Sequence, residues 1–83
     1  MERKRGFFDI VARLLEILEE GACNKTILAS KANLATRSST SYVNIILKFN
    51  LVSKDETTNT FKLTDKGRMF IDEYKKLRMF IEE

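Results

Sequence analysis

Side chains that can hydrogen-bond nucleic-acid bases and phosphates are concentrated in one segment of the chain. Residues 21–52 contain four basic residues and no acidic residue, although the whole chain has 12 acidic residues and a net charge of +3. Arginine can donate two bonds to guanine, asparagine can pair with adenine, and hydroxyl groups can contact bases or phosphates. An acidic side chain here would repel phosphate. The candidate contact residues of the segment are Lys25, Arg37, Ser38, Thr40, Ser41, Asn44 and Lys48.

Further basic residues lie outside this segment. Lys54 and Lys62 could touch phosphates or an adjacent minor groove, but Asp55 and Glu56 lie between them, so the sequence favours neither role. Residues 3–5, Arg-Lys-Arg, could form a phosphate-binding arm, and a solvated tail is the simpler interpretation. Any contribution from that arm would be electrostatic and sensitive to salt.

The composition excludes several kinds of chemistry. The chain has no histidine, the commonest general base, and a single cysteine, so neither an internal disulfide nor the usual zinc site can be assembled. Its three glycines form no phosphate-binding loop. We therefore expect no enzyme activity, no metal and no cofactor. We expect Cys23 to be a small buried residue rather than a redox switch, because only Lys25 is a nearby cation.

The overall composition, 43% hydrophobic and 33% charged, is typical of a folded, soluble chain. No apolar run approaches the roughly 18 residues that a membrane span requires. The basic start is followed by mixed apolar and charged residues instead of the apolar stretch of a signal peptide. We expect a cytoplasmic, nucleoid-associated protein without membrane contact, with one domain over residues 1–83.

The candidate contact residues need helices to present them, and the hydrophobic pattern predicts these helices. Residues 7–20 carry apolar residues at helical spacing, and Gly21 is expected to end this helix in the left-handed conformation. Asn24 can cap a second helix that runs through Lys31, because its side-chain oxygen can accept a free amide bond of the first turn. The inward-facing residues of this second helix are expected to be Ile27, Leu28 and Ala32.

A tight turn and a third helix follow. Residues 32–34 are predicted to form the turn, because Asn33 tolerates positive φ. The hydroxyl-rich residues 36–41 offer several caps for a helix from Arg37 to about Phe49. Two helices joined by such a turn are typical of a helix-turn-helix, whose second helix contacts the major groove. The core-facing residues of the third helix are expected to be Ser39, Val43, Ile46 and Leu47.

The remaining pattern predicts a hairpin and a last helix. Residues 51–54 and 60–63 are β-compatible and flank the polar stretch 55–59, which predicts two antiparallel strands. Thr64 can cap the last helix. The predicted fold class is therefore α+β, mostly α: a winged helix-turn-helix of order α-α-α-β-β-α with a C-terminal dimerisation helix over residues 65–83.

The last predicted helix carries apolar residues at the spacing of a two-heptad seam. Its outer half, from Leu77 onwards, extends beyond the core and would expose apolar surface in a monomer. We therefore predict a homodimer; the alternative is that this helix folds back along Phe7 and Phe8. The predicted dimerisation residues are Phe70, Tyr74, Leu77, Phe80 and Ile81.

Five short motifs form a set that is moderately specific. They are Lys25-Thr26, Ala32-Asn33-Leu34, Tyr42-Val43, Leu51-Val52 and Leu63-Thr64-Asp65-Lys66-Gly67. With them, nearly the whole chain resembles the archaeal winged-helix DNA-binding proteins of the Sulfolobus 10a type. The resemblance implies an archaeal, dimeric DNA-binding protein, with residues 37–49 as recognition helix and residues 65–82 in an antiparallel coiled coil. The predicted last helix is shorter than the coiled coil of that family.

DNA binding is the function that these observations favour together. Taken singly, each of the hydroxyl residues could merely cap and solvate a helix. The acid-free segment, the helix-turn-helix pattern and the hairpin coincide, however, so we expect a sequence-preferring or general double-stranded DNA-binding protein. It would be a transcription regulator or a chromatin protein, with residues 37–49 in the major groove. The alternative is a winged-helix module that binds another protein through residues 70–81 and does not bind DNA.

Overall fold

Residues 6–82 form four helices and a two-stranded antiparallel sheet. The computed structural model describes these residues, with side chains for residues 6–80. The predicted roles of residues 3–5 and of the Ile81 side chain lie outside the described part. The order of elements confirms the predicted α+β, mostly α class. The elements are α1 (Phe7–Glu20), α2 (Lys25–Ala32), α3 (Thr36–Lys48), β1 (Val52–Asp55), β2 (Thr60–Leu63) and α4 (Asp65–Glu82).

Helix α1 lies at the centre of the core. Its buried face carries Val11, Leu14 and Leu18 at helical spacing, and Leu15 beside them is also buried. Burial of each such side chain contributes about 1.5–3 kcal/mol relative to exposure. Because α2, α4 and β2 all pack against α1, this helix positions the other elements.

The end of α1 differs from the prediction. Gly21 has φ 157° and ψ 155°, outside the left-handed helical region, so the predicted left-handed cap is wrong. Its N–H still donates to the Leu18 carbonyl oxygen at 3.2 Å. The chain then runs extended into Cys23, whose backbone pairs with that of Phe61 in β2 through hydrogen bonds of 3.4 and 2.9 Å. Extended backbone is needed here because this bridge adds a third, one-residue strand to the hairpin.

Helix α2 begins and ends at the predicted signals. The Asn24 Oδ1 atom accepts a hydrogen bond from the Ile27 backbone N–H at 2.8 Å, which confirms the N-cap. Asn33 has φ 58° and ψ 49°, which confirms the tight turn. The inward orientation predicted for Ile27 is wrong, because this side chain is 44% exposed. An eight-residue helix buries a single side, and here that side carries Leu28 and Ala32.

Helix α3 begins one residue earlier than predicted, and the predicted hydroxyl caps are wrong. Its N-cap is Ala35, which makes no side-chain cap bond. The hydroxyls of Ser39 and Thr40 instead donate to the Thr36 carbonyl oxygen at 2.8 and 3.1 Å, within the helix. Because the Ser39 hydroxyl donates to the Thr36 carbonyl oxygen, Ser39 is buried in the core without an unpaired polar atom. The predicted core residues Ser39, Val43 and Ile46 are buried, and Leu47 is half-buried.

The hairpin register decides which face each side chain occupies. Partners across an antiparallel ladder lie on the same face of the sheet. Lys54 therefore shares a face with the buried Phe61, whereas Lys62 lies on the other face. The Asp55 Oδ1 atom accepts from the Thr57 backbone N–H at 2.9 Å and closes the turn. The paired residues are Val52 with Leu63, Ser53 with Lys62, Lys54 with Phe61, and Asp55 with Thr60.

Helix α4 begins against the connection between α3 and β1. Thr64 Oγ1 accepts from the Gly67 backbone N–H at 3.0 Å, which confirms the predicted cap, and its hydroxyl donates to the Asn50 carbonyl oxygen at 2.6 Å. Gly67 approaches the backbone of Leu51 closely. One turn later Ile71 is fully buried. The start of α4 is thus fixed by the hydrogen bonds of Thr64, by the close approach of Gly67 to Leu51 and by the buried Ile71.

The middle of α4 packs on α1, as in the fold-back alternative. The rings of Phe70 and Phe8 stack with centroids 6.3 Å apart, and the Tyr74 hydroxyl donates to the Asp9 carboxylate. Beyond Tyr74 the helix leaves the core. Large apolar side chains there are mostly exposed: Leu77 (55%), Met79 (75%) and Phe80 (81%).

Candidate nucleic-acid interface

One side of α3 presents four of the predicted contact residues. Arg37, Ser41, Asn44 and Lys48 follow the 4-3-4 spacing at which helical residues share a side, and all four are exposed. We call these four residues the outer strip. Ser38 is also exposed, around the helix from the strip. The buried side of α3 holds the strip rigidly on the core.

A hydrogen bond joins α2 to α3 beside the outer strip. Lys25 is the first residue of α2, and its Nζ donates to Thr40 Oγ1 at 2.9 Å. The Thr40 hydroxyl donates in turn to the Thr36 carbonyl oxygen. Lys25 and Thr40 are both half-buried. The bond therefore fixes an ammonium group next to α3, from a position 15 residues away in the sequence.

A groove of about 310 Å³ separates α3 from the hairpin, and we call it the wing groove. Lys54 borders it from the hairpin side, with its Nζ 5.8 Å from the centroid of the Phe61 ring. Two lysines and no acidic residue contribute to the lining. The lining residues are Lys25, Thr40, Val43, Asn44, Leu47, Lys54, Asn59 and Phe61.

The two lysines of the hairpin have different surroundings. Lys62 lies opposite Ser53, on the face that does not carry Phe61. The backbone N–H of Thr57 holds the pKa of the Asp55 carboxyl below its ordinary value, and the positive charge of Lys62 lowers that pKa further. Lys62 is therefore close to a carboxylate, whereas Lys54 borders a groove without one.

Asn59 is a residue of the wing groove that the sequence did not identify. It is the last residue of the turn before β2 and has φ 58°. Asparagine is among the residues that tolerate this conformation, which is a local signal for the turn. Its position beside α3 depends on how the hairpin packs, and no local signal predicts that.

An apolar groove of about 470 Å³ lies on the other flank of α3. Ile45 and Phe49 border it from the α3 side, and Lys66 is the only charged residue of its lining. A smaller groove of about 230 Å³ continues along α4 and shares Phe8 and Phe70 with it. Such a surface suits packing against another apolar surface. Phe7, Val11 and Leu51 complete the lining of the larger groove.

Cys23 is buried against the hairpin. Burial raises the pKa of its thiol, and the positive charge of Lys31 opposes this effect only in part. The thiol is therefore poorly suited to nucleophilic or redox chemistry. Within residues 6–82, no group of three or more histidine, cysteine or acidic side chains is arranged to hold a metal ion. No helix in the described part of the chain is long and apolar enough to span a membrane.

Comparison with known proteins agrees with this architecture. A family model described as winged helix-turn-helix matches residues 4–82, nearly the whole chain. The comparison with curated proteins finds no match. The observed order of three helices, a hairpin and a fourth helix is the one that the sequence pattern of such a domain predicts. The chain therefore belongs to the winged helix-turn-helix family.

Proposed function

We propose that this protein binds double-stranded DNA with α3 in the major groove and performs no chemistry on it. A winged helix-turn-helix domain suggests DNA binding in general. The observation that carries the proposal is the outer strip, a rigid and exposed row of hydrogen-bonding side chains without an acidic residue. We further propose a cytoplasmic, nucleoid-associated role as a transcription regulator or chromatin protein.

The outer strip contains groups suited to both bases and phosphates. Arg37, at the start of α3, can donate two parallel bonds to guanine, and Asn44 can pair with adenine. The hydroxyl of Ser41, and that of the exposed Ser38 outside the strip, can contact either bases or phosphates. Lys48 follows at the end of the helix, where its flexible side chain suits a phosphate. A helix fits the major groove, which is about 12 Å wide.

The two hairpin lysines support this interface unequally. Lys54 lies toward α3 at the edge of the wing groove, so it can reach the backbone of DNA bound by that helix. Lys62 is on the other face and close to Asp55. We propose that Lys62 makes the smaller contribution to DNA affinity.

A pair of double variants tests this interface. The double variant Arg37→Ala/Lys48→Ala removes two positive charges from the outer strip. The control double variant Lys75→Ala/Lys76→Ala removes the same number of positive charges from the exposed side of α4. Fluorescence anisotropy of a mixed-sequence duplex, titrated at several salt concentrations, compares both variants with the wild type.

The proposal predicts that wild-type affinity falls steeply with salt, because bound phosphates release counterions. Loss of two phosphate or base contacts from the outer strip should weaken binding and lower the salt slope by up to about 1.8 per bound protomer. The α4 variant should stay close to wild type. No wild-type binding even at low salt would refute DNA binding, and equal losses in both variants would refute the assignment to α3.

We also propose that the protein forms a homodimer through the outer half of α4. The exposed apolar side chains of Leu77 and Phe80 support this, whereas Phe70 and Tyr74 already contact α1 within the same chain. Membership of the Sulfolobus 10a-type group, proposed from sequence motifs, supports a dimer as well. If the dimer is two-fold symmetric, its two α3 helices would bind half-sites about one helical turn apart, or a multiple of it.

A second candidate function is binding of another protein, which the apolar groove favours. Apolar surfaces of this kind mark interaction sites. Association driven by the groove would be insensitive to salt, in contrast to DNA binding. A protein complex that persists at high salt, together with no duplex binding at low salt, would support this second function over the first.

A further inference from the structure

We propose that the wing groove is the seat of one DNA backbone phosphate, which Lys25 and Lys54 hold jointly. This inference rests on the proposed DNA binding and specifies one contact within it. A phosphate group carries a negative charge and oxygen atoms that accept several hydrogen bonds, so a site for it needs converging donors and no carboxylate.

Lys25 supplies the first ammonium group, and the fold fixes its position. Its Nζ donates one of its three N–H groups to Thr40 Oγ1, a side chain of the groove lining. Two N–H groups are left for a ligand. The half-buried Lys25 side chain is also restricted before DNA arrives, so less conformational entropy is lost on binding than for a free surface lysine.

Lys54 supplies the second ammonium group from the opposite wall. The β1–β2 register places it on the face of Phe61, and its Nζ lies 5.8 Å from the centroid of that ring. Phe61 is buried and belongs to the groove lining, so the ring is a fixed support. A cation over an aromatic face is attracted to it. The Lys54 ammonium group thus lies near the Phe61 ring at the edge of the groove, on an exposed side chain that a ligand can reach.

The remaining lining completes the site. The side-chain amides of Asn44 and Asn59 can donate further hydrogen bonds from the two walls. The Asp55 carboxylate of β1 is on the other face of the hairpin, where it accepts from the Thr57 N–H. Two lysines therefore line one groove whose lining contains no carboxylate, which favours an anion.

The groove continues directly into the outer strip, because Asn44 belongs to both. A phosphate bound in the wing groove would therefore belong to the same DNA duplex whose bases contact α3. One phosphate fixed between α3 and the hairpin would set the depth and register of α3 in the major groove of the DNA. This contact would not depend on the DNA sequence.

The test compares Lys25→Gln, Lys54→Gln, the double variant and the matched control Lys62→Gln in the anisotropy titration at several salt concentrations. Each neutralised phosphate contributes about 0.9 to the slope of log affinity against log salt. One shared phosphate predicts that the double variant lowers the slope by no more than about 0.9 per bound protomer, whereas two separate phosphates predict about 1.8. Lys62→Gln, on the other face of the hairpin, should lose less affinity than either groove variant, in line with its smaller contribution.

Affinity gives a second readout. Each single groove variant should lose about tenfold in affinity, as expected for a charge-assisted bond. The double variant should lose much less than the product of the two single losses, because both lysines act on one phosphate. The proposal would be overturned if the double variant changed the slope by about 1.8 or if its affinity loss equalled the product of the two single losses. It would also be overturned if the single groove variants lost no more affinity than Lys62→Gln. In each of these cases wild-type binding would still support the proposed function. Absence of wild-type binding would overturn both. Circular dichroism melting checks that each variant is folded.

Discussion

At the scale of single residues, Gly67 is the glycine whose surroundings leave the least space for a Cβ atom. It lies in the first turn of α4, where the helix crosses the connection to β1. A Cβ atom there would be 2.2 Å from the Leu51 carbonyl oxygen and 2.7 Å from Leu63 Cδ1. Since no other residue lacks a Cβ atom, glycine is required for this crossing.

We predict that Gly67→Ala lowers the free energy of unfolding by about 2 kcal/mol, because the backbone of α4 must move away from Leu51. The higher helix propensity of alanine offsets only about 1 kcal/mol of the larger steric cost. Urea unfolding followed by circular dichroism measures the change. Gly6→Ala is the control, since its Cβ would meet nothing closer than 3.5 Å. An unchanged stability for Gly67→Ala would contradict the close crossing.

Asp55 gives a prediction about pH. Its pKa is below the ordinary value of 3.8, chiefly because the Thr57 N–H bonds the carboxylate in the folded hairpin. Well above pH 3.8 the carboxyl is ionised in both states, and its contribution to stability is complete. As the pH falls below that value, the unfolded chain takes up the proton first, and the contribution is lost progressively down to the folded-state pKa.

The variant Asp55→Asn tests this linkage, because its amide oxygen can still accept from Thr57 but cannot titrate. The stability difference between wild type and variant should be constant near neutral pH and should decline as the pH falls through 3.8 and below. Unfolding midpoints in urea across this range provide the measurement. A difference that does not decline on acidification would show that the carboxylate is not bonded in the folded hairpin.

Residues whose roles are local could be predicted from the sequence. Asn24 and Thr64 cap helices through bonds to backbone three residues away, and Asn33 needs only its own conformation. The difference between Lys54 and Lys62 could not be predicted, because it depends on strand register and on the packing of the hairpin against α3. The assignment of these side chains to DNA contact is still a prediction.

At the scale of elements, α4 has two parts with different surroundings. Its first part is held by the close crossing at Gly67, the buried Ile71 and the contacts of Phe70 and Tyr74 with α1. Its last part presents apolar side chains to solvent. The sequence predicts that the part from Leu77 onwards lies beyond the core, and the exposed side chains of Leu77, Met79 and Phe80 agree with this division.

Substitution in the last part of α4 tests the proposed dimer. We predict that the wild type is a dimer and that the double variant Leu77→Glu/Phe80→Glu is a monomer, because buried and unpaired carboxylates are costly in an interface. Sedimentation velocity measures the change. Lys75→Glu, at an exposed position of the same helix, should remain dimeric. A monomeric wild-type protein, or a double variant that stays dimeric, would contradict the proposal.

Element order and type follow from hydrophobic periodicity and turn residues, and most boundaries agree within one residue with the observed helices. The pairing of Cys23 with Phe61 could not be predicted, because a one-residue strand has no periodicity. The same pairing explains the error at Gly21, where a good local cap signal gives way to the extended chain that the bridge requires.

At the scale of the whole molecule, α3 connects two surfaces of opposite character. Its flank toward the hairpin borders the basic wing groove, and its other flank borders the apolar groove with Ile45 and Phe49. The outer strip lies between these flanks. We propose that DNA binds the outer strip and the wing groove, and that protein contacts form at the apolar groove and the end of α4.

The most direct test of this division is an NMR titration of the ¹⁵N-labelled protein with a mixed-sequence duplex at low salt. We expect chemical-shift changes at the backbone amides of Lys25, of residues 37–48 and of the hairpin turn at Asn59, and at the side-chain amide of Asn44. Amides of residues 68–80 in α4 should change little. Changes centred on α4 and the apolar groove, with α3 unaffected, would contradict the central claim that α3 is the DNA-binding element.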